Sequence, residues 1–290
     1  MAWEYEGLFD ALPRTGYTDL LTEYWKTEAT AIRVGSMGYR TRTIKAGTRL
    51  EAEVYPIFGR GQEQTARREK LNITRERQAQ LNTLRSKRRL VLLMENNFRY
   101  DEDIHVTLTY AGNEPTEERS RKDIRNFLMR VKRQREKRGL KELKYIYTIG
   151  HDAGQRIHVH MVMNGGIGRD ELEKMWGKGY ANTIRLQQTG HGLQGMANYL
   201  YRQNEKARDN GERAGVHMWS GSRNLKKPKP HTSDAKMSNR KVKMVALEFG
   251  SVAAEVMERV YPGYKLEDCR VHFSDVVDGV YIRVVMRRRE

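Results

Sequence analysis

Cysteine is almost missing from this chain. The single Cys269 among 290 residues excludes an intramolecular disulfide framework and any cysteine-rich zinc site, and we read it as a packing residue. Long apolar runs are missing too. Hydrophobic residues make up 38%, no stretch approaches the roughly 20 consecutive apolar residues of a spanning helix, and the first residues lack the layout of a signal peptide. No Gly-x-x-x-x-Gly-Lys-Ser/Thr run occurs, which excludes a recognisable P-loop ATPase. Acidic residues are too few to balance the basic ones, 37 against 54, and the net charge is +17. That excess points to a polyanion, and with no membrane segment nucleic acid is favoured over an anionic lipid surface. The expectation is a soluble, intracellular protein long enough to bury a real core.

What the chain does have is a decisive triplet, His158-Val159-His160, in the run Ile157-His-Val-His-Met-Val-Met163. Strand alternation puts both imidazoles on one face, about 7 Å apart along the axis, where they can clamp a first-row divalent ion. A tyrosine follows 39 residues later in Met196-Ala-Asn-Tyr199-Leu-Tyr-Arg202. On a helix, Arg202 at i+3 shares the face of Tyr199, whereas Tyr201 points away. Leu193, Met196, Ala197 and Leu200 form an apolar stripe that makes Tyr201 the packing residue and Tyr199 the nucleophile. Arg202 would then stabilise charge developing on a phosphate. His105, His191, His217, His231 and His272 have no partner visible in sequence and are read as structural or surface residues.

The periodicity divides the chain into three pieces. In residues 1–90, Gly38 to Ile44 and Arg49 to Tyr55 alternate as a hairpin whose second strand Pro56 should stop. A basic, helix-permissive stretch follows, with ten basic and three acidic residues between Arg60 and Leu90. We read this piece as a DNA-binding appendage in which Arg85, Lys87, Arg88 and Arg89 contact phosphates. Residues 91–235 read as one α+β body. It has a strand at Ile104–Tyr110, a helix from Thr116 to about Arg138 ended by Gly139, strands at 142–150 and 156–163, a helix at 169–176, a strand at 181–186 and a helix from about Gly192 to Lys206. This β-α-β-β-α-β-α order predicts an antiparallel sheet of ferredoxin-like or RNA-recognition-like type. The basic loop Lys226-Lys-Pro-Lys-Pro230 places Lys226, Lys227 and Lys229 along a phosphate backbone. Residues 236–290 read as a β-α-β extension, with strand-like Val242–Phe249, a helix at 251–260 and a strand at 280–286.

Together, Ser86-Lys-Arg-Arg89 leading to Asn97-Phe98, Leu108-Thr-Tyr110, the histidine pair, Tyr199-Leu-Tyr-Arg202 and Trp219 to Pro228 resemble the rolling-circle replication initiators of bacterial phages and plasmids, within the HUH endonucleases. The tyrosine follows the histidines, as in initiators and the shorter transposases, whereas in conjugative relaxases it precedes them. The resemblance implies the HUH endonuclease fold and a metal-assisted transesterification. His158 and His160 would hold Mg²⁺ or Mn²⁺, and Tyr199 would attack single-stranded or extruded origin DNA, leaving a 5′-phosphotyrosine and a 3′-hydroxyl that primes synthesis.

Three departures from the family pattern stand out. Many members place a glutamate as third ligand where this chain has Gly150, so His151 or Asp152 would substitute. The usual Tyr-x-x-Lys reads Arg202 in its last position, and two-tyrosine members repeat the tyrosine where this chain has Gln203, so a single-tyrosine enzyme is expected. The resemblance also implies host helicase and DNA polymerase as partners and the bacterial cytoplasm, near the nucleoid, as the location, with the oligomeric state left open. The competing readings are an origin-binding regulator without nuclease activity, a relaxase or transposase, and an RNA-binding module displaying Tyr145 and Tyr147.

Overall fold

The computed structural model of the protein describes residues 38–57, 75–150, 156–187, 190–203, 218–247, 251–273 and 280–289. In chain order the elements are β1 (Gly38–Ala46), β2 (Arg49–Ile57), α1 (Arg75–Asn97), β3 (Ile104–Thr109), α2 (Glu117–Lys137), β4 (Tyr145–Gly150), β5 (His158–Met163), α3 (Arg169–Trp176), β6 (Ala181–Arg185), α4 (Gln194–Arg202), β7 (Ser220–Gly221), β8 (Pro230–Ser233), α5 (Asn239–Leu247), α6 (Ser251–Val260), β9 (Tyr264–Phe273) and β10 (Val280–Arg288). They form two compact units. One takes the chain up to Ser86 together with the chain from Pro228 onward; the other is Lys87–Lys227. The fold class is α+β, with one antiparallel five-stranded sheet in each unit.

The first unit has the strand order β8-β1-β2-β10-β9. Leu50, Ala52 and Val54 of β2 and Ile282, Val284 and Met286 of β10 alternate onto one face, where they bury against Val242 and Val245 of α5 and Val256 and Met257 of α6. The sheet therefore joins the N-terminal hairpin to the C-terminal strands, which the sequence reading had placed in separate pieces at 1–90 and 236–290. Two further expectations change. Pro56 does not stop β2 but pairs with Tyr39. The β10 side of β2 is paired only as far as Val54, so a residue without N–H is tolerated beyond it. The segment expected as a strand from Val242 begins as helix α5, because Val242, Val245 and Ala246 are buried at helical spacing.

In the second unit the strand order is β6-β3-β5-β4-β7. Its first four strands reproduce the ferredoxin-like arrangement, with the two strands that α2 connects, β3 and β4, separated by β5. Helix α2 starts where Thr116 Oγ1 accepts from the N–H of Arg119 at 3.2 Å. It stops at Gly139, whose φ of 63° lets the chain turn away. On one sheet face Val106, Leu108, Val159, Met161 and Met163 pack against Ile124, Phe127 and Val131 of α2 and Leu172 and Trp176 of α3. Each fully buried aliphatic side chain there is worth roughly 1.5–3 kcal/mol, so this face anchors the strands. The other face meets α4 and the second half of α1 through Ile146, Val162, Leu90, Met94 and Leu200. Tyr145 and Tyr147 lie opposite Met163 and Met161, on the α2–α3 face, and pack against its core. They are not displayed as an RNA-stacking pair.

Candidate active site

Strand β5 is central, and its register defines the site. His160 faces Thr107 of β3 and Thr148 of β4; His158 faces Thr109 and Gly150. Directly opposed residues of antiparallel strands share a face, so these residues, with His105, lie together on the face that α4 covers. Val159, between the two histidines, is fully buried in the opposite core. Helix α4 buries Ala197, Leu200 and Tyr201 and thereby turns Tyr199 toward the histidines. Tyr199 Oη lies 3.2 Å from Nε2 of His160, and the two histidine rings are 4.8 Å apart, nearly perpendicular. Tyr199, His158, His160, Arg156 and Gln203 line a cleft of about 420 Å³ that carries no carboxylate.

The ring contacts decide which nitrogens can act. Thr107 Oγ1 is 3.2 Å from Nδ1 of His160. When Nδ1–H donates to Thr107, Nε2 accepts from the Tyr199 hydroxyl, and its lone pair points into the cleft. Burial pushes the His160 pKa down to about 3, and neighbouring His105 and His158 lower it further within that shift. Burial alone takes His105 to about 4. Both rings are neutral at ordinary pH, the form a metal ligand must have. His105 stacks on His160 with centroids 5.4 Å apart and meets Tyr199 edge-on, so it braces the pair from behind.

His158 points to the same chemistry. Its Nδ1 lies 2.9 Å from the Arg156 carbonyl, which can only accept, so Nδ1 carries the proton. Its Nε2 then presents a lone pair to Oε1 of Gln203 at 3.3 Å. Two acceptors facing each other call for a proton donor or a cation between them. The donor set therefore fits a divalent ion. Among the described residues no group of three or more His, Cys, Asp or Glu surrounds it, and His151 and Asp152, the substitutes expected from sequence, lie outside the described residues, as does His217. Gly150 could not supply a side chain, because a Cβ there would meet His158 Nε2 at 2.3 Å.

Other sequence candidates lie elsewhere. Arg202 is exposed and does not line the cleft; Arg156 is the cation that does. Tyr201 is fully buried. Lys87 sits 5.0 Å over the Tyr201 ring and Arg89 5.8 Å from the Trp219 ring. Arg88 is half-buried, whereas Arg85, Lys226, Lys227 and Lys229 are exposed. Asn97 holds the Lys226 backbone, donating to its carbonyl and accepting its N–H at 2.9 and 2.8 Å. None of these seven cations lines the cleft. The residues that sequence reasoning missed are His105, Thr107, Arg156 and the active reading of Gln203. The i, i+2 spacing of His105 and Thr107 was a usable signal, but only once β3 is known to neighbour β5.

A ferredoxin-like sheet bearing a His-x-His strand under a tyrosine helix has the make-up of a replication-associated protein. Residues 103–207, which contain all of these elements, match the model of the Replication-associated protein ORF2 family. That segment belongs to this family, consistent with a rolling-circle replication initiator. No curated protein and no solved structure matches the chain.

Proposed function

We propose that the protein is a replication initiator that nicks and rejoins single-stranded or extruded origin DNA through Tyr199. The observation that carries this reading is the Tyr199 hydroxyl 3.2 Å from His160 Nε2, in a cleft that His158 also lines. A tyrosine serving only as packing would have been the buried one, Tyr201.

Tyr199 Oη would attack the phosphorus of the scissile phosphodiester. The new bond joins the tyrosine oxygen to the 5′-phosphate, the bond to the 3′ oxygen breaks, and that oxygen leaves as a hydroxyl once the phenolic proton has been balanced through solvent. Rejoining is the reverse, with a 3′-hydroxyl as attacking group. Thr107 holds the His160 ring in orientation, His105 braces it, and Arg156 offsets phosphate charge at the cleft. His158 and His160, with the Gln203 amide oxygen beside them, would hold Mg²⁺ or Mn²⁺, which supplies Lewis-acid polarisation of the phosphate. Origin DNA, a host helicase and a DNA polymerase are the partners this reading implies, in the cytoplasm of a bacterial host. Among the described residues no helix is long and apolar enough to cross a membrane.

The test incubates the protein with Mn²⁺ and labelled single-stranded DNA of the element that encodes it, then follows the label on a denaturing gel. A metal-dependent protein–DNA adduct is expected, and Tyr199→Phe should abolish it while leaving DNA affinity nearly intact. Adduct formation unchanged in Tyr199→Phe would move the nucleophile elsewhere; DNA binding with no adduct under any metal would favour an origin-binding regulator.

A further inference from the structure

Helix α4 covers only half of the histidine face. Its buried residues share a core with Ile146 of β4 and Val162 of β5, while the β3–β6 half lies beside it. On β6 the register sets Asn182 opposite Thr107 and Ile184 opposite His105, on the histidine face. Asn182 is exposed, and Ile184 is 46% exposed. One step before β6, the Tyr180 carbonyl accepts the N–H of Thr109, a cleft residue, at 3.0 Å. The Tyr180 side chain is 73% exposed, the most exposed large hydrophobic side chain among the described residues, and it makes no hydrogen bond or ring contact with them.

An aromatic ring left in water beside a reactive cleft is poorly explained by packing. It is well placed to stack on a nucleobase, whose π-face needs no sequence match. The charge agrees. The cleft lining holds Arg156 and no carboxylate, and Lys178, two residues before Tyr180, has Asp123 at 4.0 Å as its acidic neighbour. The chain as a whole is strongly basic. A duplex could not offer a base face to a single exposed ring, whereas a single strand can.

We propose that Tyr180 is the stacking platform for a base flanking the phosphate in the cleft, with Asn182 and Ile184 continuing the same strip along β6, so that a single DNA strand crosses the sheet from β6 to Tyr199. This rests on the nuclease reading for its direction, but its test does not depend on cleavage.

Fluorescence anisotropy would follow a fluorescein-labelled, random-sequence single-stranded pool of about 16 nucleotides in metal-free, low-salt buffer. Tyr180→Ala should weaken binding about tenfold or more, the loss expected of one stacked base, with Tm unchanged because the ring is exposed. Tyr180→Phe should keep wild-type affinity, since the ring and not the hydroxyl does the stacking. Binding of a duplex of the same length should not change in either variant. Equal affinity of wild type and Tyr180→Ala, equal losses in the Ala and Phe variants, or an equal loss on duplex would each overturn the proposal. If the Ala and Phe variants behave as expected while wild type forms no adduct with Mn²⁺, the platform stands and the nuclease reading fails.

Discussion

Adding one methyl group at Gly150 should disable the site without unfolding the sheet. Gly150 ends β4 opposite His158, and the imidazole lies across it; a Cβ at 150 would meet Nε2 at 2.3 Å, Cε1 at 2.7 Å and Cδ2 at 2.8 Å. Ordinary contact begins at 3.4 Å, so in Gly150→Ala the ring must withdraw by about 1.1 Å. The backbone there is not in the left-handed region, so alanine itself is unstrained. Displacing the ring off its rotamer costs roughly 0.5–1.5 kcal/mol, partly offset because glycine inside a strand is itself unfavourable by roughly 0.5–1 kcal/mol. Tm should therefore move little. The site is less tolerant: ligand distances hold to about 0.2 Å, and a shift near 1 Å in a reacting constellation can cost about 100-fold in rate. Calorimetric titration with Mn²⁺, adduct yield on a denaturing gel and a thermal melt give the three readouts. Gly150→Ala should match His158→Ala in the first two and the wild type in the third. Wild-type Mn²⁺ affinity and adduct yield in Gly150→Ala would refute the argument that His158 must lie where it does.

Gln203→Ala should lower Mn²⁺ affinity about tenfold or more by removing an oxygen donor beside His158, and Gln203→Glu should raise it, because a carboxylate is the harder, charged ligand. Unchanged titrations in both would mean that the amide is turned to donate its N–H to His158 and takes no part in metal binding. Arg156→Ala should slow adduct formation by roughly 10- to 100-fold, the worth of a charged hydrogen bond to phosphate, whereas the exposed Arg202→Ala should stay close to wild type in the same gel assay. The opposite ranking would restore Arg202 as the phosphate cation.

The alternating strands and the capped helix α2 were legible because each rests on local chemistry: period-two alternation, Thr116 at one end and Gly139 at the other. His105 was not legible, because alternation tells which residues of one strand share a face but not which strand lies beside it. Only the β3–β5 pairing brings His105 and Thr107, more than fifty residues away in sequence, under His160. The same limit hid the first unit, where β10 pairs with β2 across most of the chain, Val284 opposite Ala52. Helix α5 was misread for another reason. Its valines favour a strand when taken singly, and the helical spacing of Val242, Val245 and Ala246 prevails once there is a sheet face to bury them against.

Gly150 shows how one position changes meaning between the two levels. As a letter in a motif it marks a ligand that is missing, and the search moves to His151 and Asp152. In the folded sheet it is the space that the His158 ring occupies, and with that ring in place no side chain fits there. The third donor must then come from another element. Gln203 arrives from the end of α4, the helix that also delivers Tyr199, with its oxygen 3.3 Å from His158 Nε2. Nucleophile and third donor thus ride on one helix, four residues apart and on one face. A change that shifts α4 against the sheet should disturb metal affinity and tyrosine reactivity together, whereas replacement of a loop ligand would disturb the first directly and the second only through the ion. Truncating Leu200, which is fully buried between α4 and the sheet, separates the two cases: Leu200→Ala should lower Mn²⁺ affinity and adduct yield in parallel, alongside a stability loss of about 2–5 kcal/mol. Mn²⁺ affinity that survives while adduct yield falls would place the third donor off the helix.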